Sequence, residues 1–232
     1  MTHYLTFYRL YGCPNFASSD KNTLMKKFVN NWYNISVYLA GATALLAILL
    51  PVGIVQKLLL ASVSILFLHF FEEFGWPGGF PYMGVKILLG SDEMDSAKWN
   101  CNNLSSLFGN WTFLLLVYLL PVFISGVRFL IIGAFIFNFA ELLMHLLLFN
   151  IRLKTGYNAG MITAVFGLAP ISFYYFFAIF NPVDYFWWDY LLAAVYFIII
   201  FLFCFRSPLY WRLGKKEGYE FTEQSAFGPF KR

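Results

Sequence analysis

Apolar stretches of about 18 residues or more recur along this chain, and that recurrence leaves few folds open. A water-soluble domain has no surface for several such stretches. A bilayer takes each one as a helix, because in hydrocarbon every backbone N–H and C=O must be paired inside its own segment. Six spans can be drawn, at about 32–54, 55–74, 104–125, 127–149, 158–180 and 185–205. Composition agrees: 60% of the 232 residues are hydrophobic and only 12% are charged, against about 25% charged in an ordinary soluble domain. The expected fold class is all-α, a polytopic transmembrane helical bundle at 32–206, flanked by cytoplasmic tails at 1–31 and 207–232. The first two spans are joined so tightly that a five-span reading stays open.

The basic residues set the expected orientation. With six spans, one side holds both termini and carries Arg9, Lys21, Lys26, Lys27, Lys86, Lys98, Arg152, Lys154 and the six basic residues from Arg206 to Arg232. The other side holds only Lys57 and Arg128. Both termini are therefore expected in the cytoplasm, in a protein integral to the plasma membrane. The net charge of +4 is too small to suggest nucleic acid, so membrane lipids are the expected partners. Cys13, Cys101 and Cys204 are too scattered for a cysteine metal site or a disulfide framework. The N-terminal residues lack the apolar core and small-residue cleavage site of a signal peptide.

The longest internal loop, 75–103, begins with "GWPGGFPYMGVKILLG", apolar but too short and too broken by Gly and Pro to span. It is expected to rest at the interface or to re-enter over the bundle at 75–90, as a lid. "SDEMDSAKWNCNN" follows and should be solvated, and the basic and aromatic C-terminal tail should lie along the lipid headgroups. Asp184 and Asp189 flank "YFWW" and read as solvated acids at an aromatic belt. Arg128 reads as a snorkelling side chain, and His3 as inert.

Ionisable groups inside a span cost about 2.5–3.5 kcal/mol each on insertion scales, yet two spans carry several. The second holds His69, Glu72 and Glu73, and the fourth holds Asn138, Glu141 and His145. At about 100° per residue, each trio falls within roughly 100° of helix surface. Each helix thus presents one polar stripe, and the economical arrangement is for the stripes to face each other. Both lie at similar depth, nearer the cytoplasmic face, where Asn158 enters at the start of the fifth span.

A histidine and a glutamate four apart on one helix can share a metal ion. That pair occurs twice, as His69/Glu73 and Glu141/His145, which makes these four the candidate ligands of one or two divalent ions, zinc or iron. Glu72 is then left over as a candidate catalytic base or a bridge to a second ion. Asn138 and Asn158 are candidates for supporting the ligands from behind. Three carboxylates against one divalent ion leave about one negative charge, so two ions, or a protonated Glu72, would balance better. Without a metal, the same residues would be a proton or ion pathway, or a polar network joining two helices.

"HFFEE" at 69–73, "NFAELLMH" at 138–145 and "GYNAGMITA" at 156–164, in that order, resemble the HXXEE family of integral membrane proteins over about 35–205. The matching residues are His69, Glu72 and Glu73, then Asn138, Glu141 and His145, then Tyr157 and Asn158. Ala159 stands where the family usually has proline. The resemblance implies a membrane protein with a functional His/Glu site and supplies no substrate.

The leading expectation is an intramembrane metal-dependent enzyme acting on a lipid or lipid-like substrate. Hydrolysis, with Glu72 taking a proton from a metal-activated water, is favoured over oxidation at two irons. A transporter of metal ions or protons would use the same cluster, although "LLLASVSILFL" and "FLIIGAFIF" offer no path to the far side. A non-catalytic partner protein is the third class.

Overall fold

In a computed structural model of the chain, residues 16–230 are described; their regular structure is all helical, with no strand among them. His3, Arg9 and Cys13, and with them residues 1–15 of the expected N-terminal tail, lie outside the described residues. The rest of that tail includes α1, Phe16–Val29. Then follow α2 (Trp32–Leu49), α3 (Ile54–Phe74), the short α4 (Phe80–Met83), α5 (Asn103–Phe123), α6 (Arg128–Leu153) and α7 (Met161–Ile179). The last long apolar stretch, Trp187–Gly214, breaks at Ser207 into α8 (Trp187–Arg206) and α9 (Pro208–Gly214). A final short helix, α10, covers Glu223–Phe227. Among the described residues, six helices are long and apolar enough to cross a membrane, and the closely joined first pair are two of them. Leu50, Pro51, Val52 and Gly53 separate them; Pro51 cannot continue a helix, and the backbone N–H of Gly53 finds the Gln56 side chain at 3.1 Å.

α3 is the central element. Trp32 of α2 packs its ring on Phe70 and Phe74, and the Ser64 hydroxyl donates to the Ala40 carbonyl at 2.8 Å. α6 runs parallel to α8: Arg128 lies beside Asp189, Gly133 beside Ala193, and Phe137 beside Phe197. Asp189 is buried rather than solvated. Its carboxylate accepts the Phe186 N–H at the start of α8 and sits 3.6 Å from Arg128 Nε, so Arg128 is held by that pair and by the Asp184 carbonyl instead of reaching freely to the interface.

The C-terminal segment does not simply lie outward. Phe221 and Ala226 are buried, the Gly79 N–H donates to the Ser225 carbonyl at 3.0 Å, and Tyr82 meets the rings of Phe227 and Phe230. Its apolar side chains have a protein surface to cover, the segment 75–90. That segment folds back rather than away. Gly79, at φ +100°, makes the turn, and a side chain there would strike the Phe227 carbonyl.

Candidate metal centre

α3 and α6 bring four side chains to one point. His69 Nε2 lies 3.4 Å from Glu73 Oε1 and 3.7 Å from Glu141 Oε2. His145 Nε2 lies 3.5 Å from Glu73 Oε1 and 3.3 Å from Glu141 Oε2. The two imidazoles meet edge to face, centroids 4.9 Å apart, and none of the four residues is more than 8% exposed. The pairs are spaced four apart on their helices, and at Met144–Phe149 α6 widens into a π-helical turn that carries His145, a local distortion frequent at functional sites. Single ligand atoms of His69, Glu141 and His145 lie within 4.8 Å of one another, close enough to hold one metal ion.

These separations are informative. A direct hydrogen bond between imidazolium and carboxylate would bring N and O to about 2.7–2.9 Å. A tetrahedral ion with arms of about 2.0–2.2 Å places its ligand atoms about 3.3–3.6 Å apart. All four observed distances, 3.3–3.7 Å, are longer than such a hydrogen bond, and those from the two rings to Glu141, 3.3 and 3.7 Å, lie near the second pattern.

The far side of each ring explains the orientation. His145 Nδ1 meets Asn158 Oδ1 at 2.7 Å, and the Asn158 amide donates to the His145 and Asn150 oxygens, both at 2.7 Å. An Asn oxygen only accepts, so Nδ1 carries a proton, and in the neutral ring Nε2 keeps its lone pair on the side of the carboxylates. Nε2 is fully buried and has no hydrogen-bond partner. His69 Nδ1 meets Thr163 Oγ1 at 2.8 Å, and that hydroxyl donates to Glu72 Oε2 at 2.6 Å. The hydroxyl therefore accepts from His69, whose Nε2 also faces the carboxylates. Gly160, at φ +99°, sits against both rings, and a Cβ there would run into them.

Glu72 is next to the cluster in sequence but faces elsewhere. Its Oε1 accepts the Tyr157 hydroxyl and the Ile162 N–H, each at 3.0 Å. Its Oε2 accepts the Thr163 N–H at 2.9 Å and the Thr163 hydroxyl. The carboxylate thus satisfies the free amides that open α7, where the helix dipole favours a negative charge. Burial and the nearby Glu72 charge push the Tyr157 hydroxyl pKa well up, so it stays a donor. This is not the unengaged carboxylate expected of a base. Asn138 also differs from expectation: it accepts from the Tyr118 hydroxyl at 2.5 Å and donates to Ser62 Oγ at 3.2 Å, joining α3, α5 and α6, and makes no hydrogen bond to the cluster. Asn158 does bond a ring of the cluster, that of His145. Thr163 and Gly160 escape a reading of the residues alone; their signal is membership of the third sequence block.

A cavity of about 350 Å³ opens beside the cluster, lined by His69, Glu73 and Glu141 and otherwise mainly by apolar side chains of α3, α5, α6, α8 and the 80–89 segment. The Phe80 ring lies 6.2 Å from the His145 ring, so segment 75–90 covers the cluster from one side.

No curated protein and no solved structure matches this chain. The sequence model of the family described as "Protein of unknown function with HXXEE motif" matches residues 60–175, half of the chain, and takes in all three blocks that build the cluster. A helical protein whose matched region supplies both halves of a buried His/Glu site in this way belongs to the HXXEE family.

Proposed function

We propose that this protein is a metal-dependent membrane enzyme in which His69, Glu141 and His145 hold one divalent ion, zinc or iron, and Glu73 borders it as the proton acceptor. The carrying observation is that two buried Nε2 atoms face the same two carboxylates across 3.3–3.7 Å, farther than a direct hydrogen bond would set them. Neutral rings, each with its Nδ1 proton turned away, set lone pairs against carboxylates, which is repulsive unless a cation lies among them. Charge counting supports one ion. With Glu72 engaged by four donors of its own, two carboxylates and two neutral imidazoles balance a single divalent charge. The spare carboxylate expected to bridge a second ion is taken up elsewhere.

The reading extends to hydrolysis of a lipid-like ester or amide. A divalent ion supplies polarisation of a carbonyl and of a water. The chain's residues do the rest. Glu73 lines the cavity and accepts the water's proton. The water's oxygen adds to the acyl carbon, the bond to the leaving oxygen or nitrogen breaks, and Glu73 returns the proton to that atom. Asn158 and Thr163 hold the two rings, and Glu72 acts as a positioning residue through Thr163. The apolar cavity wall suits an acyl chain. Beyond the cluster, Ser62, Asn138 and Tyr118 bond to one another without a charge, which favours an enzyme over an ion path. The basic-residue asymmetry supports cytoplasmic termini and hence a cluster nearer the cytoplasmic face of the plasma membrane.

Metal analysis of the purified chain tests this. One divalent ion per chain is expected, lost in His69→Ala and His145→Ala, and kept in Glu73→Gln while turnover of ester lipids is lost. A wild-type protein that carries no stoichiometric ion and binds none of Zn²⁺, Fe²⁺ or Mn²⁺ when they are added overturns the proposal.

A further inference from the structure

The cavity has two unlike ends, one to either side of the cluster. α6 and α8 run side by side with a constant offset, Gly133 beside Ala193 and Phe137 beside Phe197. Continued one turn, that register sets Glu141 level with Phe201. Phe197 lies one turn to one side of this level, about 6 Å along the axis. There the cavity is walled by Phe113, Phe137 and Phe197, which pack on one another at 4.6–5.9 Å. Arg206 lies five residues to the other side, about 7.5 Å along the axis. It lines the same cavity, beside Ser106 and Asn110.

Arg206 is an unusual cavity wall. Its guanidinium lies over the faces of Phe201 and Trp211, 6.0 and 5.9 Å from the ring centroids, and donates one long hydrogen bond, 3.3 Å, to the Phe205 carbonyl. No carboxylate is paired with it among the described residues. The guanidinium thus lies between two rings and keeps donors that no described carboxylate takes, and its fork suits bidentate binding of phosphate or carboxylate.

We infer that the cavity takes a single-chain acyl lipid with an anionic headgroup, the headgroup on Arg206 and the chain among Phe113, Phe137 and Phe197. The linkage between the two then falls at the level of the cluster. The inference rests on the enzymatic reading only for the meaning of that level; the binding preference itself comes from Arg206 and needs no metal.

The test compares lysophosphatidic acid with the monoacylglycerol of the same chain, titrated into the purified full-length protein in nanodiscs. A charge-assisted pair is expected to favour the anionic lipid by about tenfold or more. Arg206→Gln should remove that preference while leaving monoacylglycerol affinity in place, which also reports that the variant is folded. Should Arg206→Gln fail to fold, Arg206→Lys, which keeps the charge and loses the fork, should show a reduced preference. The free fatty acid, run alongside, tells whether a carboxylate serves as well as a phosphate. Equal wild-type affinity for the charged and neutral lipids overturns the inference, as does an Arg206 substitution that leaves the preference unchanged. Repeating the titration after chelation separates the two proposals. A preference that survives chelation belongs to Arg206, whereas one that vanishes places the headgroup on the metal and overturns the assignment to Arg206.

Discussion

Replacing Glu72 with glutamine separates a positioning role from a catalytic one. The carboxylate accepts four hydrogen bonds, two on each oxygen, and the residue is 6% exposed, so water cannot substitute. A glutamine keeps one oxygen and turns an NH₂ toward the other pair of donors. Whichever way it sits, one backbone N–H in the first turn of α7, that of Ile162 or Thr163, faces another donor. An unsatisfied buried donor costs about 1–3 kcal/mol, and the remaining pair loses its charge assistance. The expected destabilisation is about 2–4 kcal/mol. Because Thr163 also orients His69, metal affinity should fall about 10–100-fold, as is usual when the partner behind a ligating histidine is lost. Competition against a chelator of known affinity reads the second quantity, and thermal unfolding in detergent reads the first. Wild-type metal affinity and stability combined with lost turnover would refute the reasoning, and would make Glu72 the proton acceptor in place of Glu73.

Gly160→Ala should cost metal binding as well as stability, since the new methyl meets both imidazoles at a backbone angle that disfavours a side chain; metal content and melting temperature measured together check it. Asn138→Leu should lower stability by about 1–3 kcal/mol by stranding the Tyr118 hydroxyl, yet leave metal stoichiometry unchanged, because Asn138 joins helices and does not touch the cluster. Burial raises the Cys101 thiol from 9.0 to about 12, so a maleimide at pH 8 should label it far more slowly than in the unfolded chain. The folded state holds that proton more tightly, so the associated stability is complete below about pH 9 and is lost as pH rises toward 12. Cysteines introduced at Ser96 and Asp184 should be labelled from opposite sides of the membrane; labelling of both from one side would remove the proposed topology.

Much was legible in the chain before any fold. Length and apolarity of the stretches imply spanning helices because a bilayer leaves the backbone no other partner. Helical periodicity puts His69 with Glu73, and Glu141 with His145, on one face each, since a spacing of four is a property of the helix alone. The cost of a charge against lipid then turns the two faces inward. Which inward-facing group meets which is another matter. It depends on helix rotation, on the π-helical turn at Met144–Phe149, and on where α7 begins, and these follow from packing across the bundle. Glu72 and Glu73 are neighbours in sequence, but about 100° of helix rotation sends one to the opening of α7 and the other to the imidazoles. Asn138 and Asn158 read alike as polar residues near a site; only tertiary contact assigns the first to Ser62 and Tyr118 and the second to His145. The sequence alone therefore determined helices of membrane-spanning length and apolarity with two inward polar stripes, because those follow from local geometry and solvent. The division of those stripes into ligand-like, positioning and helix-joining groups was decided by long-range packing, because hydrogen-bond partners 76 to 94 residues apart cannot be read from spacing.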